Sequence, residues 1–257
     1  MKGESAEILV IDQGNSNVKI SLWADGCLIN KIRLPGNLSS KELEEFVSKA
    51  TPEGCAYSSV SKPDKELIKK LDEIFAERLV VLNPNTPLPI KINYNRATPI
   101  GADRVAAVAG GVSMFPNETL LIIDAGTAIT LDVADSSGNF IGGNISAGID
   151  LRVKSLHEYT GRLPLVNKNE AGNDVYFATD TKEALLNGVM NGVCAEIADA
   201  FYHAKEEFGC RRMILTGGDS RLIEKMMRHK TDNLYVDEEL VEKGLLSIYR
   251  YNSRQAI

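Results

Sequence analysis

Apolar and polar positions follow nearly the same pattern twice along this chain, 112 residues apart. The apolar run Ile8-Leu9-Val10-Ile11 closes on Asp12-Gln13-Gly14-Asn15-Ser16, and the run Leu120-Leu121-Ile122-Ile123 closes on Asp124-Ala125-Gly126-Thr127-Ala128. Short unbroken apolar runs bounded by turn residues read as buried strands. Each copy continues into a second strand-like stretch, Val18 to Trp23 and Ile129 to Val133. A hairpin signal follows, Asp25-Gly26 in one and Ser136-Ser137-Gly138-Asn139 in the other, and then a third strand, Leu28 to Leu34 or Phe140 to Ile145.

Helical spacing takes over after the first meander. Ser39 or Ser40 can cap a helix to about Ala50, with Leu43, Phe46 and Val47 on one face. Ala56 to Val60 reads as a strand, the stretch after Asp64 as a helix burying Leu67, Ile68, Leu71 and Ile74, and Leu79 to Leu82 as a strand. Asn83 to Pro99 holds four prolines and is read as loop around an extended Ile90 to Tyr94. Gly101 to Met114 predicts a small-residue helix able to pack closely on a sheet. Beyond the second meander, helices are expected from Ala147-Gly148 to about Tyr159 and from Thr181 to Phe208, the latter interrupted at Gly188 or Gly192. Arg212 to Leu215 is a strand ending in Thr216-Gly217-Gly218-Asp219-Ser220; a helix, a short strand (Leu234 to Val236) and a last helix from Glu239 complete the chain.

Three meandering strands followed by alternating helices and strands, twice over, is the order of a duplicated ribonuclease-H-like fold. That is the α/β architecture of the actin, sugar-kinase and Hsp70 superfamily. It predicts two similar lobes, residues 1–116 and 117–257, each with a mixed five-stranded sheet flanked by helices, facing one nucleotide.

Bulk properties narrow the classes. Hydrophobic residues make up 44% and charged residues 25% of 257, ordinary for a soluble globular protein. The net charge of −6 supplies no basic block for non-specific nucleic-acid binding. Four cysteines stand far apart with no C-x-x-C pair, and three histidines share no metal-ligand spacing, so reduced thiols in a cytoplasmic protein are expected. No apolar run approaches the roughly 18 residues of a membrane span.

The turns carry the candidate chemistry. In Asp12-Gln13-Gly14-Asn15-Ser16, glycine permits close backbone approach to a phosphate, while the following amides and side chains donate to its oxygens. Asp12, acceptor-only when ionised, would hold Mg2+ beside phosphate, and Lys19 could reach back as a point charge. Neither a G-x-x-x-x-G-K-[ST] nor a G-x-G-x-x-G run occurs. In the second copy Thr127 could donate to a terminal phosphate and Asp124 could hold a cation, but Leu131 stands where Lys19 stood, so the copies are not equivalent. Asp103 in Gly101-Ala102-Asp103-Arg104 could accept a substrate proton, with Arg104 clamping an anion; an N-terminal helix acid in a structural ion pair is the alternative. Thr216 to Ser220 reads as a glycine turn passing a nucleoside or as an ordinary strand–helix turn.

Taken in order, Asp12-x-Gly14-Asn15-Ser16, Gly101-Ala102-Asp103-Arg104, Asp124-Ala125-Gly126-Thr127-Ala128, Gly142-Gly143 leading to Ala147-Gly148, and Thr216-Gly217-Gly218-Asp219 resemble the type III pantothenate kinases over essentially the whole chain. The resemblance implies ATP-dependent phosphorylation of pantothenate at its primary hydroxyl, the first step of coenzyme A biosynthesis. It implies that Asp12, Gln13, Gly14, Asn15, Ser16, Asn17, Val18 and Lys19 bind ATP phosphates and Mg2+, with Thr127 adding an ATP contact and Asp124 holding K+ or NH4+. It further implies that Tyr94, Gly101, Ala102, Asp103 and Arg104 contact pantothenate, with Asp103 as proton acceptor, and that Thr181 contributes across a homodimer interface. From the residues alone, Thr181 reads only as a helix N-cap. A kinase for another small hydroxy acid and a non-catalytic nucleotide-binding regulator of the same fold are the alternatives.

Overall fold

The computed structural model describes residues 6–36, 38–60, 64–93, 100–170, 176–227 and 233–255. The chain divides into two compact units, Met1–Pro116 with Glu239–Ile257, and Asn117–Glu238. The first begins with the antiparallel meander β1 (Glu7–Gln13), β2 (Asn17–Ala24) and β3 (Cys27–Pro35). Then come α1 (Ser40–Ala50), β4 (Gly54–Ser59), α2 (Lys65–Phe75), β5 (Leu79–Val81), β6 (Lys91–Ile92) and α3 (Ala102–Met114). The main sheet runs β3-β2-β1-β4-β5, with β1-β4 and β4-β5 parallel.

The second unit repeats this plan. It holds β7 (Leu120–Ala125), β8 (Ala128–Ala134), β9 (Asn139–Ala147), α4 (Ile149–Glu158), α5 (Thr181–Phe208), β10 (Arg212–Thr216), α6 (Ser220–Met227) and β11 (Leu234–Val236). Its own strands lie in the order β9-β8-β7-β10-β11, antiparallel through the meander and parallel beyond it. The two apolar runs seen first in the sequence therefore become the equivalent central strands β1 and β7.

Local chemistry explains the element boundaries. The Asp25-Gly26 turn has both residues at positive φ, 50° and 83°, the geometry that two-residue hairpins favour. Ser39 and Glu42 form a reciprocal capping box on α1, and the Asp64 carboxylate accepts from the Glu66 and Leu67 amides to start α2. Leu9 and Ile11 of β1 enter one cluster with Val18, Ile20, Leu43, Phe46, Leu67 and Leu71 beneath α1 and α2. The alternate residues Ile8 and Val10 are buried as well, and α7 (Leu240–Gln255) packs on β1 and β4. Cover on both faces is why β1 reads as an unbroken apolar run rather than an alternation.

Three expectations need correction. The last helix, α7, was assigned by sequence to the second lobe, but Glu239–Ile257 belongs to the first unit, where α7 packs on α3. That crossing is tight. A Cβ on Gly244 would lie 1.8 Å from the Ala106 carbonyl oxygen, and one on Gly110 would lie 2.4 Å from the Leu240 carbonyl oxygen. Second, α5 runs through Gly188 and Gly192 without a break for 28 residues. Leu185, Leu186, Val189, Met190, Val193 and Ile197 bury one face of it in the second core, and that packing outweighs about 1 kcal/mol of helix propensity lost per glycine. Third, the α5 N-cap is Asp180, whose carboxylate accepts from the Lys182 and Glu183 amides; Thr181 is the first helical residue.

Candidate active site

In the first unit, Asp12 and Gln13 end β1, Gly14 to Ser16 form the turn, and Asn17 to Lys19 begin β2. The Gly14 amide donates to the Asn17 carbonyl at 3.0 Å and closes the turn, which leaves Asn15 and Ser16 exposed. Val18 points into the core and offers a ligand only its backbone. Asp12 is buried; the Ser58 hydroxyl on neighbouring β4 donates to its Oδ1 at 3.0 Å. Tyr57 likewise donates its hydroxyl to Gln13 Oε1 at 2.8 Å. Ser58 and Tyr57 went unremarked in the sequence, because only the parallel β1–β4 register, Asp12 opposite Ser58, brings them there.

Lys19 Nζ lies 3.9 Å from Asp12 and 3.5 Å from Glu242 in the first turn of α7. Glu242 is fully buried, and neither of its carboxylate oxygens has a hydrogen-bond partner. Its contact with Lys19 is therefore an electrostatic approach rather than a formed hydrogen bond. Burial pushes the Asp12 carboxyl above its usual range, Lys19 and the Ser58 hydroxyl pull it back, and the charge of Asp103 pushes it up again. Burial raises Glu242 too, opposed by Lys19 and reinforced by Asp12. No motif singled out Glu242. On a linear sequence it is one more acid near a helix start.

Asp103 sits in the first turn of α3, behind Gly101 at the N-cap. Its Oδ1 accepts the Arg104 amide at 2.8 Å, and a Cβ on Gly101 would come within 2.5 Å of the same oxygen. Glycine there gives the carboxylate room to fold over the helix start, where the amide dipoles favour an anion. Arg104, the next residue of α3, is buried. Tyr94 lies outside the described residues.

The second unit builds its own acidic turn. Asp124 is near the end of β7, with Thr127 exposed in the turn to β8 and its carbonyl accepting from the Gly148 amide at 3.0 Å. Thr130 on β8 and Thr216 on β10 are the direct cross-strand partners of Asp124. Their buried hydroxyls have no hydrogen-bond partner. The Thr216 to Ser220 turn is pressed onto this strand end. Gly217 has φ +91°, and a Cβ there would lie 2.4 Å from both Asp124 Oδ1 and the Ala125 carbonyl. The Asp219 amide donates to Ala125, while Lys168 Nζ bridges Asp219 and Asp150 at 2.6 Å each. Thr181 is exposed and lines a hollow of about 620 Å³ with Arg152, Leu156, Leu163 and Leu185.

Each unit thus ends its central strand in an acid, a glycine and an exposed polar residue. A family model described as type III pantothenate kinase matches residues 8–203. The chain belongs to the type III pantothenate kinase family. A type III pantothenate kinase of Porphyromonas gingivalis is 38% identical over 248 residues, covering 95% of this chain and 98% of that protein. One of Bacteroides fragilis is 33% identical over 245 residues, with 95% and 98% covered. Among solved structures, a conserved putative Baf family transcriptional activator from Campylobacter jejuni superposes with a TM-score of 0.63 at 24% identity, covering 96% of this chain and 99% of that one. An activator of 2-hydroxyisocaproyl-CoA dehydratase from Clostridium difficile, with bound ADPNP, superposes with a TM-score of 0.53 at 12% identity, covering 98% of each chain. At those identities the structural neighbours speak to the fold alone, and it is the actin-like α/β fold expected from the repeated meander.

Proposed function

We propose that this protein transfers the terminal phosphoryl group of ATP to the primary hydroxyl of pantothenate, giving 4'-phosphopantothenate, the first step of coenzyme A biosynthesis. Family membership supports the substrate. The observation that carries the chemistry is the β1–β2 turn of the first unit, where buried Asp12 lies 3.9 Å from Lys19 beside the exposed Asn15 and Ser16. In this reading Asp12 manages the phosphate charge and Asp103 the acceptor's proton.

The residues fit the cofactors on chemical grounds. The Gly14-Asn15-Ser16 turn, with Asn15 and Ser16 exposed, would together with Gln13, Asn17, the Val18 backbone and Lys19 offer donors to phosphate oxygens. Asp12 would hold Mg2+: it is a buried carboxylate whose local charge is negative, since one ammonium serves both it and Glu242. Among the described residues no group of three or more metal-ligating side chains occurs, which suits an ion held by one carboxylate and the substrate phosphates. Mg2+, when bound, neutralises phosphate charge and polarises the transferring group. Asp124 would hold K+ or NH4+, and the orphaned Thr130 and Thr216 hydroxyls on the strands beside it have lone pairs to offer such an ion. Thr127 would add an ATP contact from its exposed turn.

In this reading Asp103 accepts the proton of the pantothenate hydroxyl as that oxygen attacks, and the Gly101 to Arg104 segment, together with Tyr94, receives the substrate. Thr181 would reach the site of a partner copy in a homodimer. Exposed Leu151 and Leu156 on α4, Tyr159 at its C-cap, and Tyr176 and Phe177 just before α5 are large apolar or aromatic side chains that a second chain could bury. The enzyme would work in the cytoplasm on small molecules, without a nucleic-acid partner. No helix among the described residues is long and apolar enough to cross a membrane.

The deciding experiment is ATP-dependent phosphorylation of pantothenate by the full-length protein, with K+, with NH4+ and with neither. Turnover is expected with at least one of the two cations. A folded protein that binds ATP but transfers no phosphate to pantothenate under any of these conditions overturns the substrate assignment.

A further inference from the structure

We propose that Glu242 competes with the nucleotide phosphates for Lys19 and so limits how tightly the first unit binds MgATP. The proposal rests on the assignment of Lys19 to phosphate binding. Glu242 is a positioning residue in this account, acting on the nucleotide through the lysine.

Three observations point the same way. Lys19 Nζ lies within ion-pair reach of both Glu242, at 3.5 Å, and Asp12, at 3.9 Å, so the ammonium is shared between the helix and the turn. With both acids ionised, Asp12, Glu242 and Lys19 would together carry one net negative charge where a polyanion is to bind. Glu242 is fully buried and neither of its oxygens makes a full hydrogen bond, so only its own backbone amide is left to compensate its charge if the ammonium leaves. The neighbouring cation, Lys31, is hydrogen-bonded at 3.1 Å to Glu239 on the same helix end.

A carboxylate could instead favour binding by holding a flexible lysine ready, and the relative sizes of the two effects decide between them. Stranding a buried charge by withdrawing its partner is among the larger penalties known for ion pairs. Prior restraint of a lysine recovers only part of that side chain's rotamer entropy. Competition therefore wins, and removing the Glu242 charge should free Lys19 for phosphate.

The test is calorimetric titration of the full-length chain with MgATP, without pantothenate, comparing wild type with Glu242→Gln and Glu242→Leu. The leucine variant guards against a glutamine amide that fails to fit, because an apolar side chain needs no partner in that position. Both variants, checked for folding by circular dichroism, should bind about tenfold more tightly or better. In a Lys19→Met background the gain should vanish, so that Lys19→Met and Lys19→Met/Glu242→Gln bind equally poorly. Unchanged or weaker binding by folded Glu242 variants overturns the proposal, as does a gain that persists without Lys19. A wild-type chain that binds no MgATP removes the nucleotide assignment itself. Tighter binding without pantothenate turnover leaves this proposal standing and removes only the substrate assignment.

Discussion

Replacing Gly244 with alanine sets two opposite physical effects against each other at the α3–α7 crossing. Helix propensity favours alanine over glycine by about 1 kcal/mol in a helix interior, and α7 would gain that. Packing opposes it. The new Cβ would start 1.8 Å from the Ala106 carbonyl oxygen, 2.6 Å from its carbon and 3.0 Å from the Gly110 nitrogen. Ordinary contact begins near 3.4 Å, so the pair must open by roughly 1.6 Å along that direction, the difference between 3.4 and 1.8. All three obstacles are backbone atoms of α3, which no rotamer change can clear. Overpacking a core costs about 1–3 kcal/mol, and a rigid backbone clash belongs at the top of that range, which leaves a net loss of about 2 kcal/mol. For a chain of this size that lowers the melting temperature by roughly 4–8 °C. Because α3 carries Asp103 and α7 carries Glu242, turnover of the folded fraction should fall as well. Differential scanning calorimetry and steady-state assays below the transition read both effects. A variant that melts at or above the wild-type temperature would refute the reasoning, because propensity would then have outweighed the close approach.

Asp103→Asn should reduce kcat by about 100-fold or more with the melting temperature unchanged if Asp103 is the proton acceptor. A near-wild-type rate would leave it a structural acid of the α3 first turn. Stability against pH should also report on Glu242. Burial holds its carboxyl above the ordinary 4.5, so the folded state binds this proton more tightly than the unfolded chain. The stability it contributes is then fully present below pH 4.5 and is lost as pH rises through the folded value. The melting temperature of Glu242→Leu should accordingly gain on that of wild type as pH goes from 4.5 toward neutrality, and a difference that stays flat with pH would sink this account.

Legibility in the sequence followed the range of the interactions involved. The β1–β2 and β7–β8 turns could be read because an apolar run, an acid and a glycine are contiguous, and their geometry closes through local bonds such as Gly14 to Asn17 and Gly126 to Ala128. The α1 cap was readable from Ser39 and Glu42 for the same reason. The Thr181 cap was misread by one residue, since a carboxylate at Asp180 is as good an acceptor as the hydroxyl and local pattern does not rank them. Gly188 and Gly192 looked like breaks in α5 because propensity was visible and the buried face that overrides it was not.

The sequence by itself determined the repeated meander and the resemblance to a kinase family, and it marked the three acids Asp12, Asp103 and Asp124 as candidates, because each of these is written in a few adjacent residues. Tertiary structure alone decided that α7 returns to the first unit, that Gly110 and Gly244 let it lie against α3, and that Glu242 is buried beside Lys19. Those outcomes depend on burial and on contacts between residues more than a hundred positions apart, as Ala106 and Gly244 or Lys19 and Glu242 are. An acid in the first turn of a helix carries no mark of whether water or a lysine will face it.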